Sequence, residues 1–143
     1  MTFNRSNARS IMQVSTPLEA FPELGSVANP VVFYDGIDAL VCYETSPPVG
    51  GGNVVLRFGD VIDFRVTPMN VDGLPGCRYP VLPWAFNEVS GGEETARWEV
   101  LSPRFWIISF HDVTIDVLFE TVSLVVHDER GGPLRRTLMD VIR

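Results

Sequence analysis

Two histidines, His111 and His127, are the only side chains in this sequence whose ordinary pKa lies near neutrality, so proton-transfer chemistry has to start from them. His111 is followed by Asp112, and Asp116 lies further along the same alternating run. A carboxylate beside an imidazole orients it for general-base work, which makes His111, Asp112 and Asp116 the candidate catalytic group of a hydrolytic or small-molecule-binding site. Neighbouring residues at a strand end point to opposite sides, and both types suit a turn, so the competing reading of the pair is structural. His127-Asp128-Glu129 offers a metal one imidazole and carboxylates, but it lacks further ligands unless the fold brings His111 close. No metal is expected. Asp60, Asp63 and Arg65, with Glu44, form a second polar constellation. It reads either as a carboxylate pair with split acidities or as an exposed sheet face with cross-strand ion pairs. Trp84 sits beside a long Pro/Gly-rich stretch, where an exposed aromatic anchors a partner; the alternative is packing under that loop. Trp84, Asp60, Asp63 and Arg65 are the candidate binding residues.

Other chemistry is excluded by what is missing. The chain has no lysine; all eleven basic residues are arginine. That removes a phosphate-binding loop of the usual kind, a lysine Schiff base and the kinase lysine. Gly50-Gly51-Gly52 precedes a strand rather than a helix, so it lacks the helix-terminus field of a phosphate cradle. There is no GxSxG, HExxH or CxxC pattern, and two cysteines cannot make a four-cysteine centre. No cofactor is expected. Cys42, in an apolar run, reads as a small core hydrophobe, and Cys77, in the loop, as the more reactive thiol of the two or, on the competing reading, an idle surface cysteine. The net charge of -7 repels nucleic acid and anionic membranes and attracts a basic protein. Neither a secretory leader nor an apolar stretch of about 18 residues is visible, which predicts a soluble, cytoplasmic protein.

The elements that must position these residues are mostly strands. With 45% apolar and 20% charged residues in 143, the composition suits one ordinary globular domain. Residues 1–26 read as an irregular arm and 27–143 as a single β-rich domain. Residues 31–34 and 37–44 flank Asp35-Gly36, a tight-hairpin signal, with Ile37, Ala39, Val41 and Tyr43 on the core face. Residues 53–58 and 61–67 read as the next strand pair, joined at Gly59-Asp60. Residues 68–83 form the longest irregular stretch, 84–89 either one helical turn or a short strand, and 90–94 a polar turn. Three β-like runs follow at 97–101, 104–110 and 113–126, with His111-Asp112 joining the last two as a hairpin. Pro133 then starts an amphipathic helix whose apolar face is Leu134, Leu138, Val141 and Ile142. The expected fold is mainly β (α+β): an antiparallel sheet curled into a partly open barrel or sandwich, with one C-terminal amphipathic helix.

The stretches VLRFGDVIDFRV (55–66) and RFWIISFHDVTIDVL (104–118) resemble small bacterial β-rich proteins of uncharacterised function, some of them immunity-like partners of toxins. That resemblance carries over no catalytic residue. The charge of -7, the Pro/Gly-rich loop with nearby Trp84 and the missing catalytic signatures make the expected function a non-catalytic protein-interaction module with a basic partner, and the resemblance suggests an immunity-like one. The alternatives are an enzyme using His111 and Asp112, and a structural homodimer or larger homo-oligomer in which the arm clamps a neighbour.

Overall fold

The computed structural model describes residues 11–46, 51–69 and 71–143. Residues 1–10 of the expected arm, and Pro47 to Gly50 of the glycine loop, lie outside that description. Among the described residues the chain forms nine strands, β1 (Gln13–Ser15), β2 (Val31–Tyr34), β3 (Ala39–Glu44), β4 (Asn53–Gly59), β5 (Asp63–Thr67), β6 (Ala85–Ser90), β7 (Arg104–Ser109), β8 (Thr114–Phe119) and β9 (Thr121–Asp128). Two helices accompany them, α1 (Glu93–Arg97) and α2 (Leu134–Ile142). None of the described helices is long and apolar enough to cross a membrane.

The strands make two antiparallel sheets, in the orders β1-β6-β7-β8-β5 and β2-β3-β4-β9, and these are not closed into a barrel. Alternation explains the stacking. Ala39, Val41 and Tyr43 of β3 and Val54, Leu56 and Phe58 of β4 face Trp106, Ile108, Ile115, Val117 and Phe119 of the other sheet in one core. The expected core face of β3 therefore holds, except that Ile37 lies before the strand and is exposed. The opposite faces are covered as well. Leu40, Cys42 and Val55 bury against Leu138 of α2, with Leu134 and Val141 beside it. Thr137, not Ile142, completes the helix's inward face: its hydroxyl accepts from Asn53 Nδ2 at 2.9 Å, while Ile142 is exposed. Cys42 packs as expected, and burial pushes its thiol up to about 11.

Three sequence readings are corrected. First, Asp35-Gly36 does not form a two-residue turn. Tyr34 pairs with Ala39, leaving a four-residue loop in which Asp35 Oδ1 accepts from the amides of Ile37 and Asp38 (2.9 and 2.8 Å) and Gly36 takes a φ of 93°. Second, β4 and β5 do not pair. β4 lies against β9 and β5 against β8, so the two ladders are halves of one ribbon that bends from sheet to sheet at residues 60–62 and at Glu120. The Gly59 carbonyl accepts from Glu120 N at 3.1 Å, and Leu118 O from Ile62 N at 2.7 Å, on either side of the bend. A Cβ at Gly59 would collide with the Thr121 hydroxyl, and Asp60 turns the corner with φ 52°. Third, residues 97–101 are not a strand. They finish α1 and form a 3-10 turn, Glu99–Leu101. Residues 84–89, left open between helix and strand, contribute to β6.

The described part of the arm is bound to its own body. β1 pairs with β6, Leu24 bridges Thr45, and Phe21 packs against Trp106 and Phe86. Tyr43 donates to Pro22 O at 2.7 Å and Thr45 to Glu23 O at 2.6 Å.

Candidate functional site

Register decides which polar residues meet. On the outer face of the five-stranded sheet, β5 opposite β8 sets Arg65 beside Asp116 and Asp63 beside Leu118. The period of two turns Thr114, Asp116 and Leu118 away from the inter-sheet core. The loop before β6 covers part of this face through Tyr79 and Val81. It is pinned by Asn87, whose side chain accepts from Leu82 N (2.9 Å) and donates to Leu82 O (3.1 Å). Beyond that cover α1 forms one wall. The result is a cleft of about 440 Å³ with Ile62, Phe105 and Leu118 as its apolar lining, Trp98 at its side, and charged residues from four elements.

The charges can be followed pair by pair. Arg65 bonds Asp63 at 3.4 Å. Arg78 bonds Glu93 at 2.6 Å and Glu94 at 3.1 Å, and Arg97 reaches Glu93 at 3.7 Å from one turn along α1. Tyr79 donates to the other oxygen of Glu94 at 2.5 Å. Burial, then that bond to a carboxylate, pushes the Tyr79 hydroxyl up to about 12. Three arginines are thus matched by three carboxylates. The fourth carboxylate in the cleft, Asp116, has no hydrogen bond or ion pair among the described residues. Half-burial raises its pKa above the usual aspartate value; Glu94 and Asp63 add to the rise, and Arg65 opposes it. A cation brought into the cleft would find an acceptor already desolvated.

The sequence candidates separate accordingly. Asp63, Arg65 and Asp116, assigned to two different constellations, share this cleft. Asp60 does not line it: it sits at the corner between sheets, its amide donating to Asp38 at 3.2 Å. His111 and Asp112 do occupy a hairpin turn, closed by Phe110 N to Val113 O at 2.9 Å, and neither lines the cleft that holds Asp116. His111 Nε2 is 3.9 Å from Asp112, beyond hydrogen-bond reach. Asp112 is engaged by Asn29, exchanging a side-chain bond at 3.0 Å and a backbone bond at 2.9 Å with that amide. The His111 ring instead stacks on Trp84, with planes 10° apart and centroids at 6.4 Å. Trp84 is 37% exposed, as its reading as an anchor requires.

His127 lies 3.0 Å from Gly51 O, and Asp128 is held by Arg130. Burial and the nearby Asp116 raise the pKa of Cys77, which disfavours its thiolate, and its thiol lies 3.2 Å from the Met69 sulfur.

Sequence reasoning missed Arg78, Glu93, Glu94, Arg97 and Trp98. The one available signal was the Glu93–Arg97 spacing, which suits a helix rather than the turn and strand assigned there. No family model matches this chain, and no curated protein or solved structure matches it either, so the reading of the cleft rests on its own residues.

Proposed function

We propose that the chain is a non-catalytic binding module for a basic protein, and that it takes an arginine or lysine side chain of that partner against Asp116. The observation that carries this reading is the unmatched, half-buried carboxylate in the cleft. Trp98 beside it offers an aromatic face to a cation. The neighbouring Val100 is 88% exposed, and Leu101 is also exposed, an apolar surface that a partner would cover. The net charge of -7 speeds the approach of a basic protein. Inhibition of a basic toxin, as the immunity-like resemblance implies, is one form such a partnership takes.

The test is a titration of isotope-labelled protein with N-acetyl-arginine methylamide, followed by NMR. Shifts are expected at the Trp98 indole and the Asp116 amide. Asp116→Asn should abolish them, and about 0.5 M salt should weaken them several-fold. Shifts scattered over the acidic surface, or an unchanged response in D116N, would overturn the assignment. The same variant should melt at an equal or higher temperature than the parent at pH 7. A carboxyl whose pKa is raised by folding withdraws stability as pH rises through the interval between its unfolded and folded values, and asparagine does not titrate.

A further inference from the structure

A second concavity lies between the arm and the start of β6. Leu18, Phe21, Trp84 and Phe86 line it together with Glu19 and Glu23, and it encloses about 530 Å³, within the usual range of roughly 300–1,000 Å³ for ligand pockets. It shares no lining residue with the Asp116 cleft. Leu18 is 99% exposed at its lip, and Trp84 holds a φ of 49°, a conformation that bulky side chains rarely adopt. Its indole lines the groove, and the ring lies parallel to that of His111.

The charge in this groove is one-sided. Glu19 is neutralised by Arg104, through bonds of 2.6 and 2.9 Å. The Glu23 carboxylate is exposed and has no ion pair or hydrogen bond among the described residues; only its backbone carbonyl is used. No arginine lines the groove among the described residues. An apolar trough with one free carboxylate complements an apolar side chain carried next to a cation.

We infer that this groove is a docking site for a linear segment of a basic protein, in which a bulky apolar side chain enters between Leu18 and Trp84 and a neighbouring arginine or lysine meets Glu23. The aromatic anchor supplies most of the affinity and the rim carboxylate supplies register and charge selection.

A random dodecapeptide library displayed on phage tests the inference when it is panned on the full chain and counter-selected on Trp84→Gly. Glycine removes the ring and tolerates the positive φ, so the variant should keep its melting temperature. The expected outcome is enrichment of peptides with an aromatic or leucine residue within two positions of arginine or lysine. The best of them should bind W84G about tenfold more weakly and Glu23→Gln about threefold more weakly, and its salt dependence should be shallower in E23Q. D116N should bind it unchanged, which separates this site from the cleft. Should W84G fail to fold, Leu18→Ser reads the same groove from a fully exposed position and should weaken binding several-fold. An absence of enrichment, enriched peptides without a basic residue, or equal binding by W84G and L18S would each overturn the inference.

Discussion

Replacing Trp106 with alanine is expected to destabilise the fold by about 4 kcal/mol, the central value for deleting a large aromatic from a packed core. Trp106 is 0% exposed and stands where the two sheets meet. Its ring contacts Phe58 at 5.6 Å and Phe119 at 5.4 Å, both edge-on, and Phe86 and Phe21 at 5.6 and 6.2 Å. Those partners come from both sheets and from the arm, so the cavity left by alanine cannot be closed by one local shift. A loss of that size is a large fraction of the roughly 5–15 kcal/mol that holds an ordinary domain together. Trp106→Phe should behave differently. The indole Nε1 finds no hydrogen-bond acceptor among the described residues although it is buried. Phenylalanine removes that unsatisfied donor, as alanine does, but keeps most of the ring's packing, so its cost should be well under half that of alanine. Urea unfolding of the two variants measures this. Equal midpoints for W106F and W106A would show that the phenyl ring recovers none of the lost packing.

Arg104→Met is expected to lose about 2–3 kcal/mol and to change how stability follows pH. Arg104 is clamped twice. Glu19 takes Nη1 and Nη2 at 2.6 and 2.9 Å, and Glu88 takes Nε and Nη2 at 2.9 and 2.7 Å. The guanidinium also lies over the Trp106 and Phe119 rings, at 5.5 and 5.7 Å. Methionine keeps much of the stem but leaves two half-buried carboxylates facing each other. The expected loss falls below that of a fully buried pair because 30% of the arginine side chain remains in contact with water.

The hydrogen bond from Arg104 holds the Glu19 carboxyl below its ordinary value of 4.5. Its contribution is therefore complete above that value and disappears as pH falls through the lower, folded one. Between pH 7 and a pH well below 4.5 the parent should lose this contribution. In the variant, protonation relieves a repulsion instead, so the gap between the two should narrow as the solution is acidified. Urea midpoints at the two pH values decide it; a gap independent of pH would assign the loss to packing alone.

The sheet class, the hairpins at residues 35–38 and 110–113 and the terminal helix are all visible in local patterns. Alternation at residues 39–43 and 54–58 assigns side chains to faces, because a strand repeats every two residues whatever lies beside it. Pro133 followed by apolar residues at helical spacing marks α2 in the same way, and even there Thr137 replaces Ile142 on the buried face because a buried threonine hydroxyl is satisfied by Asn53. The Gly59-Asp60 pair shows the limit of such reasoning. Glycine and a positive φ serve a tight hairpin and a corner between sheets equally well, and only the partners β9 and β8, some sixty residues away, distinguish them.

The candidate sites follow the same division. Residue type alone picked out Asp63, Arg65, Asp116 and Trp84, since an unpaired charge or an aromatic beside a loop is chemically conspicuous wherever it lands. Their grouping was not legible: Asp116 was joined to His111 because the two are close in sequence, whereas the β5–β8 register places it beside Arg65, fifty-one positions earlier. Strand neighbours, and therefore the contents of a cleft, depend on long-range pairing that period and composition do not encode. Which carboxylate is left without a partner is a property of the assembled set of charges, and it exists only once α1, the covering loop and the five-stranded sheet are in place.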